Sequence, residues 1–206
     1  MTGRFITLEG VEGVGKTTNL EFIASTLRNS NIELIVSREP GGTDLGEQLR
    51  ELLLHSRNSI DPTTELLLMA ASRYQHIIEV IKPALARGHW VLSDRYTDAS
   101  YAYQGGGRKL GEQVVARVHE AAGITLEPDL TLLLDMPASD GLQRASDRSS
   151  PDRIEQEALS FFDRAREAYL QRAKQNPTRI KVIDAAQSLK HVQTAIDTAL
   201  QPLIHA

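Results

Sequence analysis

Gly10-Val11-Glu12-Gly13-Val14-Gly15-Lys16-Thr17 has the spacing G-x-x-x-x-G-K-T. It follows the apolar run Phe5-Ile6-Thr7-Leu8 and opens onto helical periodicity over about 17–28. Strand, glycine loop and helix in that order restrict the chain to α/β architectures in which a loop wraps a phosphate. Each residue type has a physical reason. Glycines permit positive φ and close backbone approach, so successive N–H groups converge on phosphate oxygens. The helix N-terminus adds roughly half a positive charge beneath the anion. Lys16 reaches the outer phosphates, and the Thr17 hydroxyl is placed to ligate Mg²⁺. The alternative is a plain glycine-rich turn before a helix. With glycine at about 7% of average usage, a chance match to the whole pattern is rare in a chain of 206 residues. The loop therefore implies a bound nucleoside triphosphate.

Downstream, apolar runs at 32–37, 90–93, 130–134 and 180–183 join 5–8 as candidate strands. Their near-continuous apolar character suits parallel strands covered on both faces. Helical patterns separate them at about 44–55, 63–87, 111–122, 138–147, 154–175 and 189–204. This alternation predicts an open five-stranded parallel sheet flanked by helices, with right-handed crossovers. Nothing divides the chain, so one domain over 1–206 is expected. Hydrophobic residues at 41% and charged residues at 24% are ordinary for a globular chain. A net charge of −4 argues against a broad nucleic-acid surface. The absence of cysteine excludes disulfides, thiolate zinc sites and cysteine nucleophiles. No signal-peptide core and no apolar run of about 18 residues is present, so a cytoplasmic chain without a membrane partner is expected.

In open parallel sheets, ligands bind beyond the carboxyl ends of the strands. That rule gathers the loops 9–17, 38–43 and 94–108 with the segments after Asp135 and Asp184. Asp94-Arg95-Tyr96 follows a strand directly, so Asp94 is placed to hold the metal and Arg95 to fork onto phosphate oxygens. An ion pair capping the next helix is the plainer reading of the same residues. Arg38 precedes Glu39-Pro40-Gly41-Gly42, a tight loop that is either a phosphate contact or a structural turn. Tyr101 to Arg108 offers two aromatics, an amide and a flexible triglycine, as a base-pocket wall or as a loop with one core tyrosine. Arg73 ends an apolar helical stripe and either snorkels outward or points into the crevice to read a base. Residues 144–153, rich in arginine and broken at Ser149-Ser150-Pro151, read as a mobile flap or as a solvated turn.

Taken together, FITLEGVEGVGKTT, SREPGGT, LLLMAASRYQH, LSDRYTDASYAYQGGGR, PDLTLLLD, DRIEQE and VIDA resemble the bacterial thymidylate kinases in order and spacing, essentially end to end. The phosphate loop alone marks only a superfamily, whereas SREPGGT with DRY and AYQGGGR is far more specific. The resemblance implies transfer of the γ-phosphoryl group of ATP to dTMP with Mg²⁺, in the supply of dTTP, by a homodimer. It implies an ATP site made of Gly10 to Thr18, with Ala185 to Gln187 beside adenine and Arg148 in a lid at about 144–156. Lys16 would bridge the transferring phosphoryl group, and Thr17, Thr18 and Asp94 would serve the phosphates and metal. Glu12 would lie near the acceptor sugar. Arg38, Pro40 and Arg95 would line the acceptor phosphate site, and Arg73 would bond the thymine edge. Ser100, Tyr103 and Gln104 would face the nucleoside.

Two departures stand out. Many family members carry a phenylalanine four residues before the thymine-reading arginine, and here that position is Met69, whose thioether still packs on a ring. The phosphate loop has no arginine between Gly10 and Gly15. In the family this points to a catalytic arginine from the lid, with Arg153 ranked ahead of Arg148 because DRIEQE is the better-matched stretch. The rival readings are a deoxynucleoside kinase on the same scaffold and a regulatory nucleotide-switch ATPase.

Overall fold

The computed structural model describes residues 2–56, 58–146 and 152–205. Five parallel strands form one sheet: β1 (Phe5–Glu9), β2 (Leu34–Arg38), β3 (Trp90–Asp94), β4 (Leu130–Asp135) and β5 (Ile180–Asp184), in the order β2-β3-β1-β4-β5. β1 lies between β3 and β4, with Leu8 beside Asp94 and Leu132 in register. Each expected strand is present, shifted or extended toward its carboxyl end by a residue or two. The central strands are buried almost throughout, as continuous apolar runs require. The edge strands β2 and β5 keep exposed positions.

Both faces of the sheet are covered. Ile6, Leu8, Leu92 and Leu132 pack with residues of α1 (Lys16–Asn29), α8 (Leu159–Gln175) and α9 (Leu189–Ile204). Phe5 and Val91 pack on the other face with Ala70 of α3 (Pro62–His76), Ala84 of α4 (Lys82–Ala86) and Ile77 and Ile81 between them. Burying each of the larger side chains among these, the leucines, isoleucines, Phe5 and Val91, contributes about 2 kcal/mol. α2 (Asp44–His55) starts at Thr43, whose hydroxyl accepts from the Gly46 N–H, and α3 starts at Asp61, whose carboxylate accepts from Thr63 and Thr64 N–H groups.

Three stretches differ from the sequence expectation. The helix expected over 63–87 is interrupted by wide π-helical turns at Ile77–Ile81. Pro83 follows, and because it has no N–H to give, the widened turns accommodate it. Residues 97–107, expected as a loop, are helical: α5 (Thr97–Ser100) runs into π-helical turns at Tyr101–Gly107. The triglycine there is packed rather than flexible. A Cβ at Gly106 would lie 2.8 Å from the Ala168 methyl and the Arg164 carbonyl, and one at Gly107 2.5 Å from the Phe161 ring. Glycine is needed so that α8 can lie against this segment.

Third, the helix expected from 154 begins only at Leu159. Asp152 instead folds 152–157 into a turn, its Oδ1 accepting from the Ile154 and Glu155 N–H groups at 2.8 and 2.9 Å. The other helices, α6 (Glu112–Ala121) and α7 (Ala138–Ser146), lie within the spans expected for them.

Candidate active site

The phosphate loop joins β1 to α1 at the carboxyl edge of the sheet, next to the end of β3. Gly10, Gly13 and Gly15 all have positive φ. At Gly13 the requirement is also steric, since a Cβ would lie 1.7 Å from the Gly141 carbonyl oxygen of α7. Val11 and Val14 turn inward and are buried in the core, which fixes the loop from beneath. Lys16 Nζ donates to the Gly10 and Val11 carbonyls at 3.0 and 2.9 Å, which leaves one of its three donors. Burial, with Arg95 nearby, lowers its pKa to about 8.

A cleft of about 320 Å³ opens above this loop. On the side of the phosphate loop it is lined by Gly13, Gly15, Lys16 and Thr17. Opposite lie Pro40, Met69, Arg73, Ser100, Tyr103 and Gln104. Glu12, Asp94 and Arg95 lie where the two sides meet. Arg95 has a left-handed backbone, φ 71°, which costs a non-glycine residue about 1–3 kcal/mol. That conformation follows β3 directly, and it is held by the Arg95 N–H bond to Leu8 carbonyl at 3.0 Å. The guanidinium donates to Glu12 Oε1 at 2.6 Å and to Gly10 carbonyl at 3.2 Å, and stacks 4.6 Å from the Tyr103 ring centre. The Tyr103 hydroxyl donates to the other Glu12 oxygen at 2.5 Å. Glu12 is thereby held between an arginine and a tyrosine at the junction.

Arg73 is 2% exposed and points inward. Its Nε donates to Glu39 Oε2 at 2.7 Å, one terminal nitrogen contacts Ser100 Oγ and His119 Nε2, and the other donates to Tyr96 carbonyl at 2.8 Å. His119 is pushed down to about 3 by burial and by Arg73, so its neutral ring accepts from the guanidinium. Glu39 bonds His76 Nδ1 through its second oxygen at 2.9 Å. Of five guanidinium donors, one remains for whatever enters the cleft.

Over residues 8–196 the chain matches the family model for thymidylate kinase. The chain belongs to the thymidylate kinase family. It is 54% identical to the thymidylate kinase of Pseudomonas savastanoi pv. phaseolicola over 99% of this chain and 98% of that one. Against the thymidylate kinase of Thiobacillus denitrificans the identity is 54%, covering 98% of each. The crystal structure of thymidylate kinase from Ehrlichia chaffeensis superimposes with a TM-score of 0.80 at 31% identity, covering 98% of this chain and 99% of that one.

Within this family member, several residues expected at the site lie outside the cleft lining. Arg38 is more than half exposed and donates to Glu47 at 2.9 Å. Arg50 of α2 lines the cleft instead and donates to Pro40 carbonyl at 3.0 Å. Arg50 had no motif to mark it, being one of several charges on an amphipathic helix. Thr18 is exposed beside Thr17. Ala185 and Gln187 follow β5, where Ala185 is buried and Gln187 bonds Asp184 at 2.9 Å. Arg153 donates to Leu53 carbonyl at 2.7 Å and to Glu65 at 2.6 Å, away from the cleft, whereas its neighbours Asp152, Ile154 and Glu155 line it. Arg148 lies outside the described residues.

Glu9 is a further residue without a sequence signal. It is fully buried beneath the loop, one oxygen accepting from the Tyr96 N–H at 2.7 Å and the other in a 2.6 Å hydrogen bond with the Tyr169 hydroxyl. Burial, then the charge of Asp98, raises its pKa from the usual 4.5 to about 8. The folded chain therefore keeps a proton that the unfolded chain has lost between those values, so this contribution to stability falls as pH rises through the window. Glu9→Gln should remove that dependence. In urea unfolding at a series of pH values, the variant should gain on the wild type between about pH 5 and 8. A constant difference would contradict the buried proton.

Among the described residues, no helix is long and apolar enough to cross a membrane.

Proposed function

We propose that the enzyme moves the γ-phosphoryl group of ATP onto the 5′-phosphate of dTMP, giving dTDP and ADP. The observation that carries this reading is the shared cleft: Lys16 of the phosphate loop and Arg73 opposite face the same cavity, with Arg95 between them. An acceptor phosphate oxygen attacks the γ-phosphorus in line as the bond to the β–γ bridging oxygen breaks, and ADP leaves. The acceptor is already an anion, so no strong general base is needed. Lys16 and Arg95 stabilise the charge on the equatorial oxygens, and Arg50 joins them on the acceptor side. Positioning and preorganised charge account for the catalysis.

Mg²⁺ fits the residues present. Asp94 Oδ1 is buried without a hydrogen-bond partner, and Thr17 lines the same cleft. Magnesium takes one or two protein oxygens and completes its shell from phosphates and water, so two such groups suffice. When bound it would neutralise charge on the triphosphate. For the lid arginine, the Glu65 pair of Arg153 favours Arg148 as the group that meets the transferring phosphoryl.

The same reading makes the enzyme a cytoplasmic homodimer. Leu67, Tyr74 and Ile78 are exposed along one face of α3 and the turns after it, which supports a self-contact there. The acceptor is tested by offering dTMP and thymidine separately with ATP. ADP release with dTMP and not with thymidine is expected, and preference for thymidine would favour the deoxynucleoside kinase. A rival reading as a deoxynucleoside kinase needs a carboxylate base near a 5′-hydroxyl. Here Arg50 and Arg95 line the acceptor region and Glu12 is engaged by Arg95 and Tyr103.

A further inference from the structure

Glu65 stands one helical turn before Met69 and two before Arg73 on α3, and its side chain is fully buried. It accepts from Gln104 Nε2 at 2.8 Å and Arg108 Nε at 3.2 Å on one oxygen. On the other it accepts from Arg108 at 3.1 Å and Arg153 at 2.6 Å. Glu65 does not line the cleft, but Gln104 does. The carboxylate thus connects two arginines to one amide that faces the acceptor.

An amide group has an ambiguous orientation. Turned one way, Gln104 offers a carbonyl oxygen to the cleft, and turned the other way an NH₂. The neighbour decides. Burial works against the charge on Glu65, yet the hydrogen bonds from Arg108, Gln104 and Arg153 hold its carboxyl below the usual carboxylate range. An ionised carboxylate only accepts, so a flipped Gln104 would set oxygen against oxygen. The Gln104 NH₂ must face Glu65, and Oε1, which takes no hydrogen bond from any described residue, is left for the cleft.

The ligand edge that suits this arrangement follows. Arg73 can only donate, and Gln104 Oε1 can only accept. A thymine or uracil edge presents the O4 acceptor and the N3–H donor, which complements that pair. A cytosine edge presents an amino donor and an unprotonated N3, which is the reverse pattern. We propose that Glu65 is a specificity-positioning residue, pinning the Gln104 amide so that the site takes a pyrimidine carrying an N3–H and rejects one with a bare N3. This rests on the reading of the cleft as the dTMP site. It also gives Arg108 and Arg153 a role in keeping Glu65 ionised, at a distance from the transferring phosphoryl group.

Glu65→Gln tests the role directly, because the new amide keeps its oxygen for Arg108 and Arg153 and turns its NH₂ on Gln104, which favours the flipped amide. The KM for dTMP should rise about tenfold, the scale of one lost hydrogen bond. The dTMP-over-dCMP preference in kcat/KM should narrow by a similar factor, with the KM for ATP unchanged. Placed in a Gln104→Ala background, Glu65→Gln should produce no further rise. Equal losses in both backgrounds, or a parallel rise in the KM for ATP, would overturn the positioning role and leave dTMP recognition standing. An unchanged KM for dTMP in Gln104→Ala alone would overturn the base contact and the proposal with it. If Glu65→Gln fails to fold, side-chain amide NMR of the wild type decides, with Gln104 signals assigned by their loss in Gln104→Ala. One Nε2 proton should exchange slowly, with or without dTMP, and fast exchange of both would overturn the proposal.

Discussion

Lys16→Ala lowers turnover by about a thousandfold or more, the scale of removing a preorganised charge from a phosphoryl-transfer site. The fold should survive. Lys16 bonds two carbonyls of its own loop, Gly10 and Val11, and each such bond contributes about 1 kcal/mol net. Those losses are partly recovered because the variant no longer keeps a buried ammonium charged at neutral pH, a cost that shows in the lowering of the Lys16 pKa to about 8. The loop also keeps its other supports, the buried Val11 and Val14 and the contact of Gly13 with α7. Steady-state rates with a thermal melt check both halves. Lys16→Arg should fare little better, since a planar guanidinium is a different shape from a compact ammonium held by two carbonyls. A folded Lys16→Ala protein with near-normal turnover would remove this loop from the chemistry.

Arg73→Ala has two expected effects of different kinds. Removing the guanidinium leaves Glu39, itself buried, without its charge partner, and breaking a buried pair costs about 3–5 kcal/mol. It also removes the donor facing the cleft, so the KM for dTMP should rise more than tenfold while kcat at saturation falls less. Urea unfolding measures the first effect and initial rates the second. Adding Glu39→Gln should recover part of the stability and none of the affinity, because it relieves the stranded charge without restoring the donor. A variant as stable as the wild type with an unchanged KM would show that Arg73 neither pairs with Glu39 in solution nor reads the base.

The contrast between these residues explains how much the sequence disclosed. Lys16 sits in a local pattern whose spacing carries its chemistry, and β1, β3 and β4 are continuous apolar runs, so loop and sheet were both legible. Arg73 was legible as a residue but not in its direction, because a charge beyond an apolar stripe fits a snorkelling end equally well. Its burial depends on Glu39, Ser100 and His119, which come from three other segments. The helical path of 97–107 was hidden for a similar reason. Three glycines read as flexibility, whereas here they allow contact with α8, more than fifty residues away. Arg38 and Arg50 differ only in which helix face or strand end turns toward the cleft. Arg153 gained a partner in Glu65, 88 residues earlier. Tertiary pairs of charges leave no periodic trace along a chain.

Product identity tests the central claim most directly. Incubating the enzyme with Mg²⁺ and γ-phosphate-labelled ATP against dTMP, dUMP, dCMP, dAMP and dGMP, then separating the nucleotides, shows where the label goes. Label should appear in dTDP, with one ADP formed per dTDP. Label in free phosphate whatever the acceptor, or in another diphosphate in preference to dTDP, would contradict the assignment of this cleft.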